Sequence, residues 1–150
     1  MDLGFYLAIA HHLAVFSLVG IFAAEFTLIR PGINVESVQR LARIDAIYGG
    51  LAGAVIVIGI FRVLFGGTDP WYYLTNFAFW GKMGAFLVMG LMTLPPTMAI
   101  RRWKADSKLS SAYEPPKSEV GTARRFVHLQ AVALLFIPIF AAAMARGYGS

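Results

Sequence analysis

Long apolar runs set the organisation of this chain. Four of them, roughly residues 5–29, 44–65, 77–100 and 126–145, alternate with polar connections. Each can cross about 30 Å of hydrocarbon at about 1.5 Å of rise per residue. The pattern predicts an all-α protein: a four-transmembrane-helix antiparallel bundle forming a single integral membrane domain over residues 1–150. No basic segment precedes the first run, where residue 2 is Asp2. The apolar stretch before Ala8-Ile9-Ala10 is too short for a signal-peptide core, so an uncleaved helix is expected there.

Charge placement orients the bundle. Of the 13 Lys and Arg, ten lie in segments 30–43 and 101–125: Arg30, Arg40, Arg43, Arg101, Arg102, Lys104, Lys108, Lys117, Arg124 and Arg125. Only Arg62, Lys82 and Arg146 fall at the other end. Basic connections stay in the cytoplasm, which predicts a cytoplasmic loop at 101–125 and both termini on the non-cytoplasmic side. That loop holds Ser110-Ser111 and Pro115-Pro116 and is expected to have little regular structure. The outer turn ends in Trp71-Tyr72-Tyr73, aromatics suited to the headgroup level.

Small residues recur at helical spacing in the second run, Gly49 with Gly53 and Gly50 with Ala54. Such spacing lets backbones approach closely, either inside the bundle or across a homodimer face. Pro95-Pro96 and Pro138 are expected to end or kink their helices.

Composition agrees with this picture and removes several classes of function. Hydrophobic residues make up 58% and charged residues 14%, against about 45–50% and about 25% in soluble domains. Mean hydropathy is +0.66. There is too little polar surface for a water-soluble globule, and disorder is excluded on the same grounds. With no cysteine, disulfides, thiolate metal sites and c-type haem attachment are excluded. The net charge of +5 sits between spans rather than on a soluble face. The expected partner is therefore the lipid bilayer and not nucleic acid. No nucleotide-binding motif, nucleophile triad or tetrahedral zinc spacing occurs.

Ionisable groups within a span are costly and face the bundle interior, which makes them the functional candidates. The first span carries His11, His12 and Glu25. His11 and Glu25 share one helix face, about 21 Å apart along the axis, whereas His12 is turned by about 100°. The turned ring must meet headgroups, water or a partner subunit. Antiparallel order sorts the polar groups into two layers. The outer layer holds His11, His12, Arg62, Lys82, Met144 and Arg146; the inner layer holds Glu25, Asp45, His128 and Gln130, beside Arg43, Arg124 and Arg125.

The outer layer suits haem b. A neutral imidazole is an axial iron ligand, cations neutralise propionates, and Met144 or Met83 offers a second axial sulfur. His11 is the candidate metal ligand, and a hydrogen-bonded structural histidine is its alternative reading. His128 stands about 15–20 Å away along the membrane normal, too far to share one haem with His11. The inner layer reads as a salt-bridge cluster sealing its end, as a proton relay, or as a carboxylate–histidine metal site.

Several segments carry a resemblance. Tyr6-Leu7-Ala8-Ile9-Ala10-His11-His12-Leu13-Ala14-Val15, Arg40-Leu41-Ala42-Arg43-Ile44-Asp45, Trp80-Gly81-Lys82-Met83 and Ala143-Met144-Ala145-Arg146-Gly147 resemble a bacterial family of small four-helix membrane proteins of unknown function. The likeness covers nearly the whole chain. More distantly, the chain is similar to the HemJ-type membrane protoporphyrinogen oxidases, a four-helix, haem-associated family. Its early-helix histidine matches His11, its third-helix basic residue matches Lys82, and its last helix opens like Arg125-Phe126-Val127-His128. Two departures stand out: that family's polar-Pro-Thr run is His128-Leu129-Gln130-Ala131-Val132 here, and a histidine before the third-helix lysine is Trp80. The resemblance implies the fold, a bacterial inner (cytoplasmic) membrane and a haem association. Oxidation of a porphyrin precursor is a subordinate reading.

These readings predict a membrane haem b-binding protein with a redox or electron-transfer role. His11 is the axial ligand, Arg62 and Lys82 meet the propionates, and Glu25, Asp45 and His128 stabilise the opposite end. Two alternatives stand beside it. One is a non-catalytic accessory subunit of a larger membrane complex, suited by His12 and the small-residue stripe. The other is a metal or proton transport component, which at this length would work as a dimer.

Overall fold

A computed structural model describes residues 2–149 as five helices: α1 (Leu3–Leu28), α2 (Val35–Phe65), α3 (Pro70–Thr75), α4 (Phe77–Asp106) and α5 (Lys117–Ala145). No strand occurs among the described residues. The four long helices are each long and apolar enough to cross a membrane and run alternately up and down. The protein is thus an all-α, four-transmembrane-helix antiparallel bundle of a multi-pass membrane protein.

The helices outrun their apolar cores at the arginine-rich end. Asn34 caps α2 by accepting from the Ser37 N–H at 3.0 Å, and Glu36 pairs with Arg40 one turn on at 3.0 Å. At this end α4 continues to Asp106 and α5 starts at Lys117, so only residues 107–116 remain outside helices where a longer irregular loop was expected. The reason is an inward stripe: Val38, Leu41, Ile100, Trp103, Val120 and Ala123 are buried among otherwise polar neighbours, and an amphipathic helix is stable once that stripe is covered. The Trp103 indole N–H donates to Glu119 at 2.8 Å, and Arg102 donates to the same carboxylate oxygen at 2.8 Å. Buried Trp103 fills the centre of this end, and an open cleft of about 290 Å³ lies beside it between α4 and α5.

The prolines lie inside helices that run on through them. A proline lacks the N–H that would bond four residues back, so Pro96 leaves the Met92 carbonyl without its helical donor. Gln130 of α5 supplies one instead, its Nε2 lying 3.0 Å from the Met92 oxygen. In an apolar span such a freed group is satisfied by a neighbouring helix.

α1 packs along α2 and α4 along α5, and the two hairpins meet chiefly where α2 lies against α4. At Gly81 the α4 backbone runs so near α5 that a Cβ would fall 2.6 Å from the Phe140 ring. Gly49, Gly50 and Gly53 are exposed, with open space beyond each. Their stripe lies on the outer face of α2 rather than inside the bundle. At the far end the C-terminal turn is tied to the α3–α4 corner. The Phe77 N–H donates to the Gly149 carbonyl at 2.7 Å, buried Asn76 donates to the Tyr148 carbonyl at 3.4 Å, and the Tyr72 hydroxyl donates to the Met144 carbonyl at 3.2 Å. Between this corner and the α1–α2 hairpin the bundle opens.

Candidate functional site

The opening is a cavity of about 360 Å³, lined by residues of all five helices and within the range of small-molecule sites. His11 comes from α1, Arg62 from the end of α2, Tyr73 from α3, Lys82 with Met83 and Met89 from α4, and Met144 from α5. Apolar side chains such as Val55, Phe86, Leu134 and Ile137 make up most of the remaining wall. The antiparallel order explains the convergence: an early position on α1, a late one on α2, an early one on α4 and a late one on α5 share one membrane level.

His11 is partly buried, and its Nδ1 is shut away from solvent with no hydrogen-bond partner. Buried polar atoms left so are few in folded proteins, and each calls for an explanation. Gly59 of α2 makes room for the ring: a Cβ there would lie 3.4 Å from the imidazole Cε1. Lys82 stands with its Nζ 5.3 Å from the Phe79 ring centroid, a cation–π distance. Among the described residues neither Arg62 nor Lys82 pairs with a carboxylate. Unpaired cations near the ends of spans meet water, headgroups or an anionic ligand.

Other candidates from the sequence fall elsewhere. His12 is exposed, its ring N–H donating to the Ala8 carbonyl one turn back at 2.7 Å, and it does not line the cavity. His128 is likewise exposed. It donates to the Arg124 carbonyl at 2.7 Å and its ring lies 4.7 Å from that of Phe26. It is therefore turned away from Glu25 and Asp45, which are buried at 2% and 5% exposure. Among the described residues no group of three His, Cys, Asp or Glu could hold a metal ion.

Glu25 and Asp45 belong to a set of buried polar side chains between α1, α2, α4 and α5. Thr97 of α4 donates to Asp45 at 2.5 Å. One turn further along α2, the Tyr48 hydroxyl lies 3.4 Å from Thr93 Oγ1 and 3.5 Å from Gln130 Oε1. Thr93 Oγ1 is in turn 2.9 Å from the Met89 carbonyl and 3.2 Å from Gln130 Oε1. Met89, whose carbonyl accepts from Thr93, also belongs to the cavity wall. Sequence reasoning passed over Tyr48, Thr93 and Thr97. The available signal was spacing: Tyr48 is three residues after Asp45, and the two threonines are four apart, so each pair shares a helix face.

The fold and cavity define a polytopic four-helix membrane protein with an intramembrane ligand-sized chamber. Residues 4–149 match the family described as "Predicted membrane protein (DUF2214)", and the chain belongs to it. No curated protein and no solved structure matches the chain.

Proposed function

We propose that the cavity holds haem b or a related metallated tetrapyrrole, and that the protein serves a redox or electron-transfer role in a bacterial inner membrane. The observation that carries this reading is His11, with a buried Nδ1 that lacks a hydrogen-bond partner, lining a chamber that also holds Arg62 and Lys82, neither paired with a carboxylate among the described residues. A lone histidine is too few ligands for a bare metal ion, which needs three or four. It is enough for an iron already chelated by a macrocycle, which needs only axial donors. His11 would hold the iron, Arg62 and Lys82 would meet the propionates, and the thioethers of Met83 and Met144 would be further donors in the same cavity. When bound, haem supplies a one-electron couple tuned by its axial ligands and surroundings. The chain's own part is to bind the macrocycle, exclude water with apolar walls and fix its charged edge.

The test is a visible-light titration of the purified protein with haem. A Soret shift that saturates near one equivalent is expected, with the shift lost in His11→Ala while helical circular dichroism is unchanged. A folded protein that stays colourless in excess haem overturns the reading.

A second reading draws on the outer face of α2. Gly49, Gly50 and Gly53 leave open space beyond the backbone, a surface suited to a second copy of the chain or a helix of a larger complex. Gentle detergent extraction followed by mass measurement separates a homodimer from a subunit of a larger assembly.

A further inference from the structure

The outer cavity leaves the most deeply buried ionisable groups without a task. Glu25 is 2% exposed, and its Oε2 has no hydrogen-bond partner. Among the described residues it has no salt-bridge partner. On α2, Asp45 and Tyr48 stand near enough to interact with it electrostatically. On α4 the exposed Arg101 acts electrostatically on Asp45. From α5 comes the neutral amide of Gln130, while His128 is turned onto Phe26. Two carboxyls in an apolar interior, one lacking any donor, are a costly arrangement. A cluster that only sealed the helix ends would bring a cation between them.

We infer that Glu25 and Asp45 form a proton-exchange site in the arginine-rich half of the bundle, with Thr97 bonded to Asp45 and the hydrogen-bonded group of Tyr48, Thr93 and Gln130 lying on its cavity side. The step moves H⁺ alone: a carboxylate oxygen gains an O–H bond as a hydronium or water gives one up, and no electron changes place. The hydroxyls favour a proton over a metal ion. Thr97 is committed as a donor to Asp45, and Thr93 points its hydrogen at the Met89 carbonyl or Gln130. Among the described residues no metal-holding cluster exists at this level. Buried carboxyls are the components of intramembrane proton relays, and the neighbouring hydroxyls carry exchangeable hydrogens. The site does not depend on any ligand in the cavity.

Infrared spectroscopy of the full chain in lipid films, with no haem added, tests this. A carbonyl band of a protonated carboxyl should appear and disappear reversibly with pH and shift in D₂O. It should be lost in Glu25→Gln, with the helical amide signal retained. A Glu25→Gln titration that superimposes on the parent overturns the proposal. So does a band removed at constant pH by sodium chloride but not by choline chloride, which would mark a cation site. Should Glu25→Gln fail to fold, carbodiimide labelling of the parent protein takes its place. Peptide mass mapping should find the adduct on Glu25, and no adduct at any pH overturns the proposal. A colourless protein that gives the band loses only the haem reading; one that binds haem without the band loses only the proton site.

Discussion

Gly59 and His11 are paired across α1 and α2, and the fit of one depends on the size of the other. With a Cβ position 3.4 Å from the imidazole Cε1, alanine would stay at ordinary van der Waals contact. A β-branched side chain would drive into the ring and turn it from the cavity. Gly59→Val is therefore expected to weaken haem binding at least tenfold, about 1.4 kcal/mol, while Gly59→Ala stays within a few-fold of the parent. A Soret titration of both variants checks this; equal affinity in Gly59→Val would separate His11 from the site. Nothing in the sequence marks Gly59 among its fellow glycines, because the contact joins positions 48 residues apart, from 11 to 59.

Within the elements, the proline of α4 and the glutamine of α5 act as one unit. Gln130→Leu would leave the Met92 carbonyl without a donor and is expected to cost about 1–2 kcal/mol. In a Pro96→Ala background the alanine N–H can bond that carbonyl within the helix, so the same Gln130→Leu change should cost less. Unfolding measured for the four proteins of this double-mutant cycle checks the coupling; strictly additive losses would show that the two residues act independently. The sequence marked Pro96 as a breaker and Gln130 as a polar residue. It gave no sign that each answers the other, since the bond runs between two helices.

On the scale of the whole molecule, the distribution of basic residues predicts orientation. The chain has no cysteine, so Ser111→Cys, in the exposed connection between α4 and α5, introduces a single reactive thiol. A membrane-impermeant maleimide is expected to label it in inverted vesicles and not in right-side-out ones. The converse result would place the arginine-rich end outside. The same bias brings a mechanical asymmetry: the arginine-rich end is closed by buried Trp103 on Glu119, and the other end holds the cavity.

The four spans were legible in the sequence because the bilayer imposes a local test. A helix satisfies its own backbone hydrogen bonds, so length and hydropathy of one segment are enough to place it. Periodicity along α1 likewise set His11 and Glu25 on one face, since both lie on a single rigid element. What the tertiary structure decided is rotation and junction. It decided that His128 turns outward while Gln130 turns inward, that Tyr48, Thr93 and Thr97 join the carboxyls, and that the hairpins part around His11, Arg62 and Lys82. A span that is apolar on every side carries almost no amphipathic signal to fix its rotation. Packing against the neighbouring helices fixes it, and that packing is set by residues distant in the chain.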